Sequence, residues 1–224
     1  TDFDDIYFST EDGLAESQHV FLEGIGGPDV WQGVDHFVIG ETGFGTGLNF
    51  LTTWQAWRET ASENQKLTFV SVEAFPLSVD QLSLAHSSWP ELSDVSSALC
   101  DAYPDLHPGF HTVNLEGGRV KLLLLFGPAS RLLPELKMEA NAWYLDGFAP
   151  QKNPDLWNEE LFKQLARCSV KNCRLATFTV AGPVKRGLEA VGFEIEKRSG
   201  FGKKRECLTA QFTGRRLSSE KPRR

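Results

Sequence analysis

The chain has 224 residues, of which 41% are hydrophobic and 24% are charged, and its formal net charge at pH 7 is −7. This length and apolar content are enough for one α/β domain with a real core. The sequence has no apolar run long enough to cross a bilayer, and the N-terminal "TDFDDIYFST" lacks a signal-peptide pattern, so we expect no membrane association.

Strands and helices alternate along the chain from about residue 35 onward. Short apolar or β-branched runs predict strands at 35–41, 67–73, 111–115, 120–127, 141–148 and 173–180. Helical spacing, or a proline near the start of a segment, predicts helices at 46–60, 76–86, 129–137, 154–168 and 183–192. The stretches "FEIEKRSG" and "ECLTAQF" predict a closing hairpin with one antiparallel edge strand.

This order predicts a three-layer, Rossmann-like α/β sandwich. Strands that are buried on both faces read as continuous apolar runs, and helical crossovers force parallel pairing, so the sheet should be mostly parallel. We expect an N-terminal cover segment at 1–34, the main domain at 35–213, and a tail or linker at 214–224.

The stretch "GETGFGTGLNF" (40–50) follows the first strong strand and opens a helix. Glycines at such a turn let the backbone approach a ligand, and the helix N-terminus offers free N–H groups. A phosphate-binding Walker loop would need a lysine that is absent here, and the spacing GxGxG differs from the dinucleotide pattern GxGxxG. Glu41 would repel a pyrophosphate but suits the cationic cofactor S-adenosylmethionine, and Glu73 can accept the ribose hydroxyls.

A second group of residues lies in "WYLDGFAPQKNPDLW" (143–157). Asp146 follows the fourth parallel strand, at the edge of the sheet where such folds bind ligands. It can accept a hydrogen bond or a proton from an amine nucleophile, and it could equally cap the next turn. Phe148 and the prolines around it would form a stiff wall, whereas Trp157 is expected to belong to the core.

Charge is unevenly distributed along the chain. Residues 1–160 hold 7 Lys/Arg and 25 Asp/Glu, whereas residues 161–224 hold 16 Lys/Arg and 5 Asp/Glu. A basic C-terminal quarter can bind a polyanion although the whole chain is acidic, and it can equally be a solvated tail. The four cysteines show no CxxC spacing and the five histidines no metal-ligand spacing, which predicts a reduced cytoplasmic protein without a metal site.

Several long motifs together resemble the methyltransferase part of the bacterial tRNA-modifying MnmC family. They are "FDDIYFS", "ETGFGTGLNF", "EAFPL", "HSSWPEL", "YLDGFAPQKNPDLW", "LATFTVAGPVKRGL" and "GFGKKRE", spread from the start to about residue 212. The resemblance implies a class I S-adenosylmethionine-dependent fold. It also implies methyl transfer to the amine of 5-aminomethyluridine, usually 2-thiolated, at the tRNA wobble position.

The motifs and the resemblance together predict the residues of the site. Asp146 is the predicted catalytic residue. The predicted cofactor-binding residues are Glu41, Gly43, Phe44, Gly45, Gly47, Asn49, Glu73, Ala74, Gly127, Pro128, Asp146, Gly147 and Phe148. The predicted tRNA-binding residues are Phe148, Lys152, Asn153, Phe178, Lys185, Arg186, Lys203, Lys204 and Arg205, with Lys197 and Arg198 as further phosphate contacts. The family often has an aspartate where this chain has Pro128, so the adenine would be held by backbone and apolar contacts.

Many members of the family carry a fused FAD-dependent oxidoreductase that generates the amine. Nothing in this chain resembles that part, so the chain is either a stand-alone enzyme or a fragment, and FAD is not expected in it. From the residues alone, a methyltransferase for a small cationic amine and an inactive cofactor-binding module remain alternatives.

Overall fold

The structure is a computed structural model that describes residues 13–147, 157–202 and 204–214. In these ranges eight strands form one sheet, in the order β3-β4-β2-β1-β5-β6-β8-β7. The strands are β1 (His36–Thr42), β2 (Lys66–Glu73), β3 (Gly109–Leu115), β4 (Val120–Phe126), β5 (Ala140–Leu145), β6 (Ser169–Thr177), β7 (Phe193–Ser199) and β8 (Glu206–Phe212).

The five central strands run parallel, which confirms the predicted fold class. β4, β2, β1, β5 and β6 pair in parallel, and β8 pairs antiparallel with both β6 and β7. The reversed strand β8 therefore lies inside the sheet, and the edge strand β7 runs parallel to the centre. The C-terminal hairpin was predicted to place its antiparallel strand at the edge of the sheet, and this position is wrong. At the opposite edge, β3 pairs antiparallel with β4 through the turn Glu116–Gly118.

Seven α-helices cover the two faces of the sheet in the described ranges. They are α1 (Gly13–Glu16), α2 (Leu48–Thr60), α3 (Val79–His86), α4 (Ser93–Ala102), α5 (Ala129–Leu132), α6 (Glu159–Arg167) and α7 (Gly182–Ala190). A π-helical segment (Ser17–Leu22) continues α1, and short 3₁₀ turns lie at Asp29–Trp31, Pro90–Leu92, Glu116–Gly118 and Leu133–Glu135. None of these helices is long and apolar enough to cross a membrane.

Helix boundaries differ from the predicted ones where a cap or a proline decides them. α3 begins at Val79 because the Ser78 hydroxyl and the Gln81 side chain form a capping box. α6 begins at Glu159, where the Asn158 side chain accepts a hydrogen bond from the Leu161 N–H. α5 ends early, because Pro134 converts the next turn into a 3₁₀ helix. α4 has no counterpart among the helices predicted from the sequence.

Large side chains fill both sides of the sheet. On one side α2 buries Phe50, Trp54 and Trp57 against β1, β2 and β4, together with the π-helical segment after α1. On the other side α6 buries Leu161, Phe162 and Leu165 against β5 and β6. Each such side chain contributes roughly 1.5–3 kcal/mol by leaving water. The rigid sheet fixes the carboxyl ends of β1, β2 and β5, where the predicted site residues lie.

Candidate cofactor and acceptor site

The glycine turn lies between β1 and α2 and is held to the neighbouring strand. The backbone φ angles of Gly43, Gly45 and Gly47 are 88°, 53° and 75°, a region that side chains disfavour. The Gly43 N–H donates to the Val72 carbonyl at 2.8 Å, and the Gly47 N–H donates to the Phe44 carbonyl at 2.7 Å. These bonds give the turn a defined shape at the N-terminus of α2.

Glu73 ends β2 beside this turn, as predicted. Its Oε2 accepts a hydrogen bond from the Gly45 N–H at 2.9 Å, and its Oε1 accepts one from the Phe75 N–H at 2.8 Å. Each carboxylate oxygen has a further lone pair, so both can accept ligand hydroxyls. The Glu73 carbonyl also accepts from the Gly127 N–H at 2.8 Å, which brings the end of β4 to the same place.

One amide connects the two carboxylates that follow β1 and β5. Asn49 Nδ2 donates to Glu41 Oε1 at 3.0 Å and to Asp146 Oδ2 at 2.8 Å. Ser71 donates to the other oxygen of Glu41 at 2.6 Å, and Ser17 donates to Asn49 Oδ1 at 2.6 Å. Glu41 is 1% exposed, so it lies beneath the turn with both oxygens engaged.

Burial raises the pKa of Glu41 well above its ordinary value. The hydrogen bonds from Ser71 and Asn49 act in the opposite direction. Its environment is therefore suited to a cationic group nearby, which would stabilise the ionised form.

Asp146 is partly exposed and has a perturbed acidity. Burial raises its pKa to about 6, against the hydrogen bonds that it accepts from the Gly147 N–H and from Asn49. Glu16 raises the pKa further, and Lys204 lowers it. The carboxyl group can therefore accept a proton near neutral pH and release it again.

Glu16 and Lys204, which both influence Asp146, belong to a small cluster of side chains. Lys204 Nζ lies 2.8 Å from Glu16 Oε1 and 4.7 Å from the centre of the Phe178 ring. The Trp157 ring packs edge-on against Phe178, with 6.3 Å between centroids. The substrate contacts expected of Phe178 and Lys204 stay predictions, and Lys204 is paired with Glu16.

The other predicted residues differ in their accessibility. Phe44 is buried and stacks on Tyr103, with 6.4 Å between centroids, whereas Ala74 is exposed. Pro128 precedes α5, Lys185 is partly buried, and Arg186 and Arg205 are exposed. Phe148, Lys152, Asn153 and Lys203 lie outside the described residues.

Sequence reasoning missed four residues that contact this region: Glu16, Ser17, Ser71 and His86. Glu16, Ser17 and His86 lie in segments far from these motifs, and no spacing in the sequence indicates that they meet there. Ser71 lies on β2, two residues before Glu73. "HSSWPEL" contributed to the resemblance, but nothing in it indicated that His86 touches the glycine turn. Among the described residues, no group of three or more His, Cys, Asp or Glu side chains could hold a metal ion.

The geometry fits an adenosine-type cofactor. A Cβ on Gly43 would lie 3.0 Å from the Asp146 carbonyl and 3.1 Å from Gly147 Cα, so glycine is needed where the turn meets the end of β5. Glu73 presents carboxylate acceptors beside the turn, and no lysine of the turn could neutralise a pyrophosphate. The fold and this site define a Rossmann-like cofactor-binding protein of the class I methyltransferase type.

Comparisons with known proteins identify the family. A family of S-adenosyl-L-methionine-dependent methyltransferases matches residues 90–213, more than half of the chain. The chain belongs to this family, and S-adenosylmethionine is its methyl donor.

The relatives in curated collections are larger proteins. The chain is 48% identical over 213 residues to the tRNA 5-methylaminomethyl-2-thiouridine biosynthesis bifunctional protein MnmC of Thiobacillus denitrificans, covering 95% of this chain and 35% of the relative. The protein of the same name from Magnetococcus marinus is 52% identical over 206 residues, covering 92% and 31%. The chain thus spans about a third of the length of these relatives.

A solved structure confirms the fold. The crystal structure of MNMC2 from Aquifex aeolicus superposes with a TM-score of 0.75 and 20% identity, covering 96% of this chain and 65% of that one. Both the resemblance and the fold class expected from the sequence are therefore confirmed.

Proposed function

We propose that this protein transfers a methyl group from S-adenosylmethionine to the amine of 5-aminomethyl-(2-thio)uridine at the tRNA wobble position. The product is 5-methylaminomethyl-(2-thio)uridine. The observation that carries this proposal is Asp146, a half-buried residue at the strand ends whose carboxyl pKa is raised by burial to about 6. The names of the relatives at 48% and 52% identity support the choice of nucleoside.

The proposed role of Asp146 follows from the chemistry of amines. An alkylamine is largely protonated in neutral water, and only the uncharged nitrogen can attack. When bound, S-adenosylmethionine would supply a methyl carbon that the nitrogen attacks, and S-adenosylhomocysteine would leave as the carbon–sulfur bond breaks. Asp146 Oδ2 or Oδ1 would accept the amine proton, and its partial exposure lets it pass the proton to solvent. Asn49 and the Gly147 N–H hold the carboxylate in place.

The cofactor would be held mainly by groups at the ends of β1, β2 and β4. Glu73 would accept the ribose hydroxyls, and the glycine turn with the N-terminus of α2 would contact the amino-acid part. Ala74, Gly127 and Pro128 would flank the adenine. Glu41 would act through its charge and through Asn49, since it is 1% exposed and its two oxygens accept hydrogen bonds from Asn49 and Ser71.

The tRNA would approach from the side of Asp146, with the wobble base splayed out of the anticodon loop. Phe178, with Phe148, is the proposed stacking partner. The remaining proposed tRNA contacts, which rest on the sequence alone, are Lys152, Asn153 and Lys203. Lys185, Arg186 and Arg205 have no ion pair within the described ranges and are the cations best placed for phosphates.

The wider setting is also a proposal. We infer that residues 35–213 form the methyltransferase domain, with 1–34 as its cover and 214–224 as a tail or linker. The relatives are called bifunctional, and we propose that a fused FAD-dependent oxidoreductase accounts for their additional length. All four cysteines are free thiols, which supports the cytoplasm as the compartment.

The decisive experiment uses tRNA that carries the aminomethyl group but lacks the final methyl. The protein and S-adenosylmethionine should convert 5-aminomethyl-2-thiouridine to the methylaminomethyl nucleoside, detected by nucleoside mass spectrometry. A small alkylamine in the same assay should stay unmodified. Methylation of the amine but not of the tRNA would favour a small-molecule methyltransferase. Cofactor binding without any transfer would favour an inactive module.

A further inference from the structure

His86 connects two helices to the glycine turn. It is the last residue of α3, it is 4% exposed, and its imidazole lies between α4 and the turn. His86 Nε2 lies 2.7 Å from the Thr46 carbonyl oxygen, and Nδ1 lies 2.7 Å from Ser96 Oγ. Burial lowers the pKa of His86, so the ring is neutral near pH 7.

These contacts fix the tautomer of the ring. A carbonyl oxygen can only accept a hydrogen bond, so Nε2 carries the proton and donates to Thr46. Nδ1 is then an acceptor, and the Ser96 hydroxyl donates to it. Cys100 Sγ, at 3.9 Å from Nδ1, is a more distant neighbour.

The Thr46 carbonyl belongs to the peptide that closes the glycine turn. The same planar peptide carries the Gly47 N–H, which donates to the Phe44 carbonyl at 2.7 Å. The carbonyl and the N–H of a trans peptide point in opposite directions, so a hydrogen bond that fixes the Thr46 carbonyl also fixes the direction of the Gly47 N–H. Gly47 has a positive φ and no side chain, so the residue itself does little to prevent this peptide from rotating.

We propose that His86 is a positioning residue that keeps the glycine turn in its cofactor-binding shape through the hydrogen bond from Nε2 to Thr46. The inference rests on the cofactor site proposed above at this turn. It assigns a role to "HSSWPEL", in which the sequence showed no chemistry.

Two substitutions separate the hydrogen bond from the packing of the ring. The amide nitrogen of His86→Gln reaches about as far as Nε2 and can donate to Thr46, whereas His86→Asn reaches only as far as Nδ1. Calorimetric titration with S-adenosylhomocysteine should show affinity weakened roughly tenfold or more in His86→Asn and by less than about threefold in His86→Gln. Melting temperatures should fall similarly in both variants, because both lose the buried ring.

Kinetics and a control complete the test. The KM for S-adenosylmethionine should rise in His86→Asn, while kcat at saturating cofactor and the KM for tRNA change little. Ser169→Ala removes a hydroxyl that accepts from Trp143 at 3.0 Å, at the opposite end of the sheet, and should leave affinity unchanged. Equal losses of affinity in the two His86 variants, or none in either, would overturn the role of His86. Failure of the unmodified protein to bind S-adenosylhomocysteine would overturn the proposed cofactor site itself.

Discussion

Asp146 is the single residue on which the proposed proton transfer depends. Replacing it with asparagine keeps the size of the side chain but removes the group that accepts the amine proton. We expect Asp146→Asn to lower the single-turnover methylation rate by roughly a hundredfold or more, the usual scale of general-base catalysis. Calorimetry should show that S-adenosylhomocysteine still binds within about tenfold of its original affinity, since Glu73 and the turn are intact.

The pH profile distinguishes this role from simple positioning. The pKa of Asp146 is raised to about 6, so the fraction of acceptor carboxylate falls as pH drops through that value. Single-turnover rates measured from about pH 5 to 9 should therefore show an acidic limb near 6 that is absent from Asp146→Asn. If the limb is the same in the variant, it belongs to the amine of the substrate, and full turnover in the variant would exclude Asp146 as the base.

Glu41 should show a conflict between stability and function. Its pKa is raised above the unfolded value, so its contribution to stability is fully present below that value and is lost as pH rises through the folded pKa. The amide of Glu41→Gln does not ionise, so this variant loses no stability in this way as the pH rises. The amide can still accept a hydrogen bond from Asn49 and donate one to Ser71. We expect the variant to melt about 3 °C or more above the original protein at about pH 8, with a smaller difference near pH 5.

The same substitution should weaken cofactor binding. Removing the carboxylate beneath the turn removes an attraction for the cationic cofactor, so we expect affinity for S-adenosylmethionine to fall roughly tenfold. Higher affinity, or a lower melting temperature at high pH, would contradict the account of a buried charge kept for function.

Single residues were predictable where a motif placed them at a strand end. Glu41 and Glu73 lie at the carboxyl ends of β1 and β2, Asp146 directly follows β5, and the structure brings all three to the same end of the sheet. Ser17 and His86 were not predictable, because their contacts depend on how segments distant in sequence pack together. Glu41 also shows that spacing does not reveal orientation, since its side chain points beneath the turn rather than outward.

Among the structural elements, the glycine turn offers the clearest test. Gly43→Ala would add a Cβ at 3.0 Å from the Asp146 carbonyl, in a residue whose φ is 88°. We expect a lower melting temperature and affinity for S-adenosylhomocysteine reduced roughly tenfold or more, because the turn and the end of β5 must move apart.

Gly118→Ala is the matched control for this change. Gly118 has a similar φ of 91°, and an added Cβ would meet nothing within 4 Å. This variant carries the backbone strain alone, about 1 kcal/mol, and should bind the cofactor normally. Equal affinities in the two variants would mean that close approach at Gly43 does not matter for binding.

Strands and helices were predicted most accurately where the hydrophobic pattern of the sequence was strongest. The central strands β1, β2 and β4 were predicted within one residue, because burial on both faces makes their sequences continuously apolar, whereas β5 ends three residues before its predicted end. α4 was missed because "SDVSSALCDA" is short and serine-rich, and it owes its helical state to packing of Val95 and Leu99. The antiparallel strand of the C-terminal hairpin was expected at the edge of the sheet, but it is β8, beside β6, because a hairpin pattern fixes only that two strands pair and not which of them meets β6.

Over the whole molecule, the basic C-terminal quarter is only partly available for a polyanion. Lys197 pairs with Glu206 at 2.7 Å, and Lys204 pairs with Glu16 at 2.8 Å. These pairs are exposed and weak, so tRNA phosphates could compete for the lysines. Lys185 and Arg186, which form no ion pair in the described part of the chain, lie on α7, which follows β6 on the ligand side of the sheet. They are therefore expected to contribute most to the electrostatic part of tRNA binding.

Salt dependence measures that contribution. Neutralised phosphates release counterions, so the logarithm of the tRNA association constant should fall linearly with the logarithm of salt concentration. Lys185→Gln with Arg186→Gln should flatten the slope by roughly 1.4, taking about 0.7 for each lost contact to single-stranded nucleic acid.

Lys121→Gln is the control, since Lys121 is exposed near the start of β4, towards the opposite edge of the sheet. This variant should leave the slope unchanged. Fluorescence anisotropy with labelled tRNA from about 50 to 300 mM salt gives both slopes. A slope near zero in the unmodified protein would remove phosphate contacts from tRNA recognition, and an equal loss in Lys121→Gln would place them on another face.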